Sequence, residues 1–111
     1  MQLVLKSIFM AVILLMLVVT IQGSLDRNVM VALEGLWPDP WFRATLADAY
    51  FGFLTVFIWI AYRERSLAAK ILWFVALMLL GNFAIATYIL IELFRLPAGA
   101  PIERLLLRKA G

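Results

Sequence analysis

The sequence predicts an all-α integral membrane protein with three transmembrane helices, a short interfacial helix in the first loop and a short amphipathic C-terminal tail. Three observations carry that expectation. Hydrophobic residues make up 66% of the 111-residue chain, and the mean hydropathy is +1.01. The apolar residues gather into three long stretches, near residues 3–22, 40–64 and 67–95, each about long enough to cross a hydrocarbon core of about 30 Å. Charged, aromatic and proline residues fall at the ends of these stretches, where a bilayer needs anchors and helices need stops. Residues 1–111 therefore form a single helical membrane domain, with little left over for a water-soluble one.

The first span carries Lys6 one turn from its start, where the aliphatic stem can carry the ammonium to the interface. A cleaved signal peptide is the rival reading, but Thr20-Ile21-Gln22-Gly23-Ser24 lacks a clean small-x-small cleavage site. After Gln22, Leu25, Val29, Leu33 and Leu36 recur at helical spacing. This suits a short amphipathic helix lying on the membrane, with an ordinary loop as the alternative. Trp37-Pro38-Asp39-Pro40 then ends one element and starts the next: Asp39 can accept from the free amides of a new helix, and Pro40 suits its first position. Arg63-Glu64-Arg65-Ser66 is short enough to force a helical hairpin, so the second and third spans are antiparallel neighbours. The third span is stopped by Pro97, Gly99 and Pro101. In the tail from Ile102 to Lys109, Arg104 and Arg108 lie on one face, with Ile102, Leu105 and Leu106 on another, an arrangement suited to anionic headgroups.

Composition excludes several kinds of chemistry. The chain has no Cys and no His, so thiolate nucleophiles, disulfides, the usual zinc, copper and haem ligands and the usual neutral-pH general base are missing. Its five methionines read as flexible apolar filler. No motif for nucleotides, metals or nucleophilic catalysis is present. The expectation is a non-enzymatic protein with no cofactor. The net charge of +3 is scattered among segment ends rather than gathered on one face, so the expected partner is the lipid bilayer and not nucleic acid.

Polar residues at membrane depth are expensive and are the first place to look for function. Asp48 lies on a stripe with Thr45, Gly52, Thr55, Trp59 and Tyr62. At a comparable depth on an antiparallel third span come Tyr88, Glu92 and Arg95, so Asp48 is expected to pack against them. Gly81 and Asn82 near the middle of the third span suit close helix approach with a cross-helix hydrogen bond. The candidate intramembrane polar cluster is thus Asp48, Asn82, Tyr88, Glu92 and Arg95.

Ser24-Leu25-Asp26-Arg27, Trp37-Pro38-Asp39-Pro40-Trp41-Phe42, Thr45-Leu46, Asp48-Ala49-Tyr50-Phe51-Gly52-Phe53 and Gly81-Asn82 with Tyr88 together resemble a family of small multi-span membrane proteins, bacterial and plant, defined as a domain of unknown function. The resemblance covers nearly the whole chain and implies membrane residence only. Small multidrug exporters of similar length are a poor match, because they have four spans with an acidic residue inside the first. The functional expectation is an accessory or assembly subunit of a larger membrane complex in the plasma (inner) membrane, meeting other membrane subunits or copies of itself. The alternative is a homo-oligomeric ion or small-solute transporter or channel using Asp48. Raw counts of Lys and Arg favour the side opposite the N-terminus, which holds six basic residues with six acidic ones. The net charge of Lys6, Arg63, Arg65 and Lys70 against Glu64 alone favours a cytoplasmic N-terminus instead, and three spans then put the C-terminus outside.

Overall fold

The computed structural model describes residues 1–109. Within them the chain is helical: α1 (Gln2–Asp26), α2 (Val29–Leu36), α3 (Pro40–Arg63), α4 (Leu67–Leu80), α5 (Asn82–Arg95) and a 3₁₀ turn at Ile102–Leu105. α1 and α3 are long and apolar enough to cross a membrane, whereas α4 is an apolar helix of only 14 residues.

The caps follow the residues that invited them. Asn28 starts α2 by accepting from the amides of Met30 at 2.7 Å and Val31 at 3.3 Å. Asp39 starts α3 by accepting from Trp41 N–H at 2.9 Å, with Pro40 in the first helical position. Both satisfy amides that the first helical turn leaves without partners. Ser66 caps α4 through Ala69 N–H. α3 and α4 form the expected antiparallel hairpin, with the Phe57 and Phe74 rings edge to face at 5.1 Å.

The expected third span is not one helix. It breaks at Gly81, where φ is +54° and ψ is −119°, a backbone conformation that only glycine adopts without strain. Beyond the break α5 folds back along α4. In a continuous helix Trp73 and Tyr88 would lie about 22 Å apart, yet their rings pack at 4.9 Å. The fold-back is held from outside by α3: a Cβ on Gly81 would meet Cζ of Phe53 at 2.7 Å, so the absence of a side chain lets the tip of the hairpin sit against that ring. The core forms inside the V, from Ile60 of α3, Leu77 of α4 and Ala84 and Tyr88 of α5.

This changes where the chain ends lie. α1 packs against α5, its N-terminus beside the C-terminus of α5: the Gln2 side-chain amide donates to the carbonyls of Pro97 and Ala100 at 3.1 and 3.2 Å, and Lys6 Nζ lies 4.6 Å from the Phe94 ring centre. The tail returns to the same end, where Lys109 N–H donates to Arg63 C=O at 3.0 Å. The start of α1, the turn after α3, the end of α5 and the tail therefore share one end of the molecule, and α2 lies at the other. The expectation of opposite ends for the Arg63 turn and the tail is corrected by the break at Gly81.

Candidate functional site

The buried charged groups among the described residues, Arg63, Glu64 and Glu92, converge at the shared end. Arg63 is the last residue of α3, and the hairpin turn begins with Glu64, so both side chains meet the returning face of α5. There, Tyr88 and Glu92 stand one helical turn apart on its buried side. Arg63 Nη1 donates to Glu92 Oε1 at 2.7 Å and to the Tyr88 hydroxyl at 3.0 Å. The Tyr88 hydroxyl donates in turn to Glu64 Oε2 at 2.8 Å. Lys109 closes the ring, its ammonium against Glu64 Oε2 and at 2.9 Å from Glu92 Oε1.

All four inner members are buried: Arg63 is 5% exposed, Glu64 7%, Glu92 4% and Tyr88 1%. Burying charges is tolerable only when each has a partner and the remaining hydrogen-bonding positions are filled. Here they are. Arg63 Nε also donates to Leu107 C=O at 3.2 Å, tying the tail to α3, and Arg65 Nε donates to Lys109 C=O at 2.7 Å. The Arg63 guanidinium lies 5.8 Å from both the Trp59 and Tyr88 ring centres, which adds a cation–π attraction. Three separate chain segments thus meet in one network, which locks α3, α5 and the tail together.

The expected cluster of Asp48, Asn82, Tyr88, Glu92 and Arg95 is only partly assembled. Tyr88 and Glu92 are its centre. Arg95 reaches Glu92 Oε2 at 3.4 Å from the edge, with its side chain 70% exposed. Asp48 is not with them: it lies about 22 Å along α3 from Arg63, exposed, and forms no hydrogen bond or ion pair among the described residues. The reason is the fold-back, which turns Tyr88 and Glu92 toward the C-terminal end of α3 instead of its N-terminal end. Asn82 is exposed at the hairpin tip and Gly81 is buried there; Gly81 provides the expected close approach, but against Phe53 and without a cross-helix hydrogen bond from Asn82.

The partners that sequence reasoning missed are Arg63, Glu64 and Lys109, read there as membrane-flanking charges or tail. A signal was present. Residues 67–95 would make a helix of about 43 Å, well over a 30 Å crossing, with a glycine at its centre. A fold-back at that glycine brings Glu92 level with the Arg63 turn. The tail also departs from its expected lie: Leu105 is buried and Lys109 turns inward, so it docks on the bundle.

Chemically the network is a closed set of neutralised charges. Among the described residues no group of carboxylates is arranged to hold a metal ion. The family described as "Protein of unknown function (DUF1475)" matches residues 2–110. No curated protein and no solved structure matches the chain.

Proposed function

We propose that this chain, which belongs to the DUF1475 family of proteins of unknown function, is a non-enzymatic multi-pass protein of the plasma membrane that works by contact, as an accessory or assembly subunit of a larger membrane complex. The observation that carries this reading is the outer face of α3. Thr45, Asp48, Gly52 and Thr55 recur there at spacings of three and four and are all exposed. The two threonines donate back to their own helix, to Trp41 C=O and Phe51 C=O, each at 2.9 Å, which leaves Asp48 without a partner. With Arg63 at one membrane face, Asp48 lies about 22 Å deep in a core of about 30 Å. A carboxylate facing lipid costs up to about 3 kcal/mol at the bilayer centre and less toward the interface. Small and polar residues on one helical face are the composition of a membrane helix–helix contact, and a helix from another subunit would relieve that cost.

In the seating that accompanies this reading, α1 and α3 cross the bilayer. The α4–α5 hairpin enters from one side, reaches about the midplane at Gly81 and returns. Phe53, beside Gly81, is about 15 Å along α3 from Arg63. Of the ten basic residues, only Arg27 and Arg43 lie at the far end, with Asp26, Glu34, Asp39 and Asp48. The basic end faces the cytoplasm by the positive-inside rule, so both termini are cytoplasmic. Counted along a three-span chain, the same residues divide four against six; the fold-back gathers eight of them at one end, which supports this orientation.

The second reading is a homo-oligomeric ion or small-solute conduit, favoured by the outward direction of Asp48, which copies of the chain could gather around an axis. The polar stripe ends at Trp59 and Tyr62, which opposes it. Extraction from native membranes in mild detergent should give a hetero-complex larger than the chain alone. Gly52→Leu should release the chain from it without lowering the chain's own melting temperature, because Gly52 is exposed and a Cβ there meets nothing within 4 Å. Migration of the wild-type chain alone would contradict the accessory role. Ion flux in liposomes that vanishes in a folded Asp48→Asn variant would replace it with the conduit.

A further inference from the structure

Beside the buried network, between the end of α5, the turn after α3 and the tail, lies an open cleft of about 460 Å³. We propose that it seats the phosphate of an anionic phospholipid headgroup. The inference uses the membrane seating described above but requires no partner subunit.

Charge is the first argument. The cleft is lined by five arginines and Lys109, with Glu92 as the single acidic residue on its wall. Glu92 is already shared among Arg63, Arg95 and Lys109, so one carboxylate faces three cations and leaves the other arginines without a counter-charge among the described residues. Arg104 and Arg108 are exposed at the rim and form no ion pair among the described residues. Arg65, exposed and lining the cleft, is held by Lys109 C=O through Nε alone, so its terminal nitrogens form no hydrogen bond among the described residues. Guanidinium forks match a phosphate's oxygens in pairs, which a row of lysines would not do.

Location decides between a lipid and a dissolved anion. The cleft's own wall includes Leu96, Pro97 and Leu107. Around it Phe94, Leu106 and Leu107 are 65%, 62% and 57% exposed. A free phosphate gains nothing from such a flank, whereas a phospholipid places its acyl chains there while its headgroup enters the basic cleft. Basic pockets between membrane helices on the cytoplasmic side recognise headgroups by this division of labour.

The test uses the purified full chain in a neutral detergent, with bound lipid read by native mass spectrometry as phosphatidylglycerol or phosphatidylcholine is titrated in. Wild type should retain phosphatidylglycerol preferentially. The Arg104→Gln/Arg108→Gln variant should bind it about twentyfold more weakly, at roughly a factor of five per lost charge near the surface. Arg27→Gln/Arg43→Gln, which removes the same charge from the far end, should change binding by less than about threefold, since the cleft lies beyond a Debye length from that end. Far-UV circular dichroism checks the fold of both variants, and the wild-type preference is informative without either. Equal retention of the two lipids by wild type, or an equal loss in the two variants, overturns the site. Displacement of the lipid by inorganic phosphate at a comparable concentration overturns the lipid as its occupant.

Discussion

Replacing Glu92 with leucine is expected to destabilise the protein by about 3–5 kcal/mol, the cost of removing one partner from a buried ion pair. The carboxylate is 4% exposed and holds Arg63 at 2.7 Å and Lys109 at 2.9 Å. Leucine would leave the Arg63 guanidinium buried with only the Tyr88 hydroxyl and Leu107 carbonyl to face. Lys109 would keep Glu64, so the loss falls mainly on Arg63. The variant Arg63→Met/Glu92→Leu removes both charges together and should recover most of the loss, because matched apolar groups replace a buried pair at little cost. Reversible unfolding in mixed micelles measures both. A loss below about 1 kcal/mol for Glu92→Leu is the value of an exposed ion pair and would mean that water reaches the network.

The second large effect is expected at Gly81. Any side chain there carries two penalties. The φ of +54° with ψ of −119° costs a non-glycine residue about 1–3 kcal/mol. The contact of its Cβ with Cζ of Phe53 at 2.7 Å adds an overpacking cost of similar size. Gly81→Val should therefore lose about 2–6 kcal/mol. Shortening the neighbour, as in Gly81→Ala/Phe53→Leu, relieves the clash and leaves the backbone strain, so Gly81→Ala should be only partly rescued. The adjacent Asn82→Ala, at an exposed position, should stay within about 0.5 kcal/mol. If Gly81→Val matched Asn82→Ala in stability, the sharp break between α4 and α5 would be refuted.

These two sites also mark how far the fold can be read from the residues. The start of α3 is legible at Asp39 with Pro40, where cap chemistry decides it locally; Asn28 and Ser66 cap α2 and α4 in the same way, although neither is among the expected caps. The α3–α4 hairpin followed from the shortness of the turn at Arg63 to Ser66. The break at Gly81 was not legible as a reversal, because an apolar stretch with a central glycine has the same composition whether it crosses a bilayer or folds back within it. What decides between them is a non-local contact, the ring of Phe53 seated where a side chain would be. The candidate site was misread for the same reason. Depth along an uninterrupted helix pairs Asp48 with Tyr88 and Glu92; a reversal at Gly81 pairs Arg63 with them, and the tail can then bring Lys109 to the same place. The residue types were the right ones for a buried polar cluster, while their partners depended on the topology.

The fold-back and the buried network support one another energetically. Without the reversal Glu92 and Arg63 would lie at opposite faces of the bilayer, each free to reach water. With it, both are brought under the tail, where charge pairing is the only alternative to a large desolvation cost. The basic residues then concentrate at one end, and the proposed orientation rests on their sum instead of on the first helix alone.

The measurement that tests this account most directly is the sidedness of the two ends of the α4–α5 hairpin. The chain has no cysteine, so single cysteines can be placed at Ser66 before α4, at Ala98 after α5 and at Gly35 in α2. An impermeant thiol reagent is then applied to intact cells and, separately, to permeabilised ones. A hairpin that returns to its own side gives labelling at Gly35 in intact cells, and at Ser66 and Ala98 only after permeabilisation. Labelling of Ser66 and Ala98 from opposite sides would mean that the segment crosses the membrane, and would contradict it.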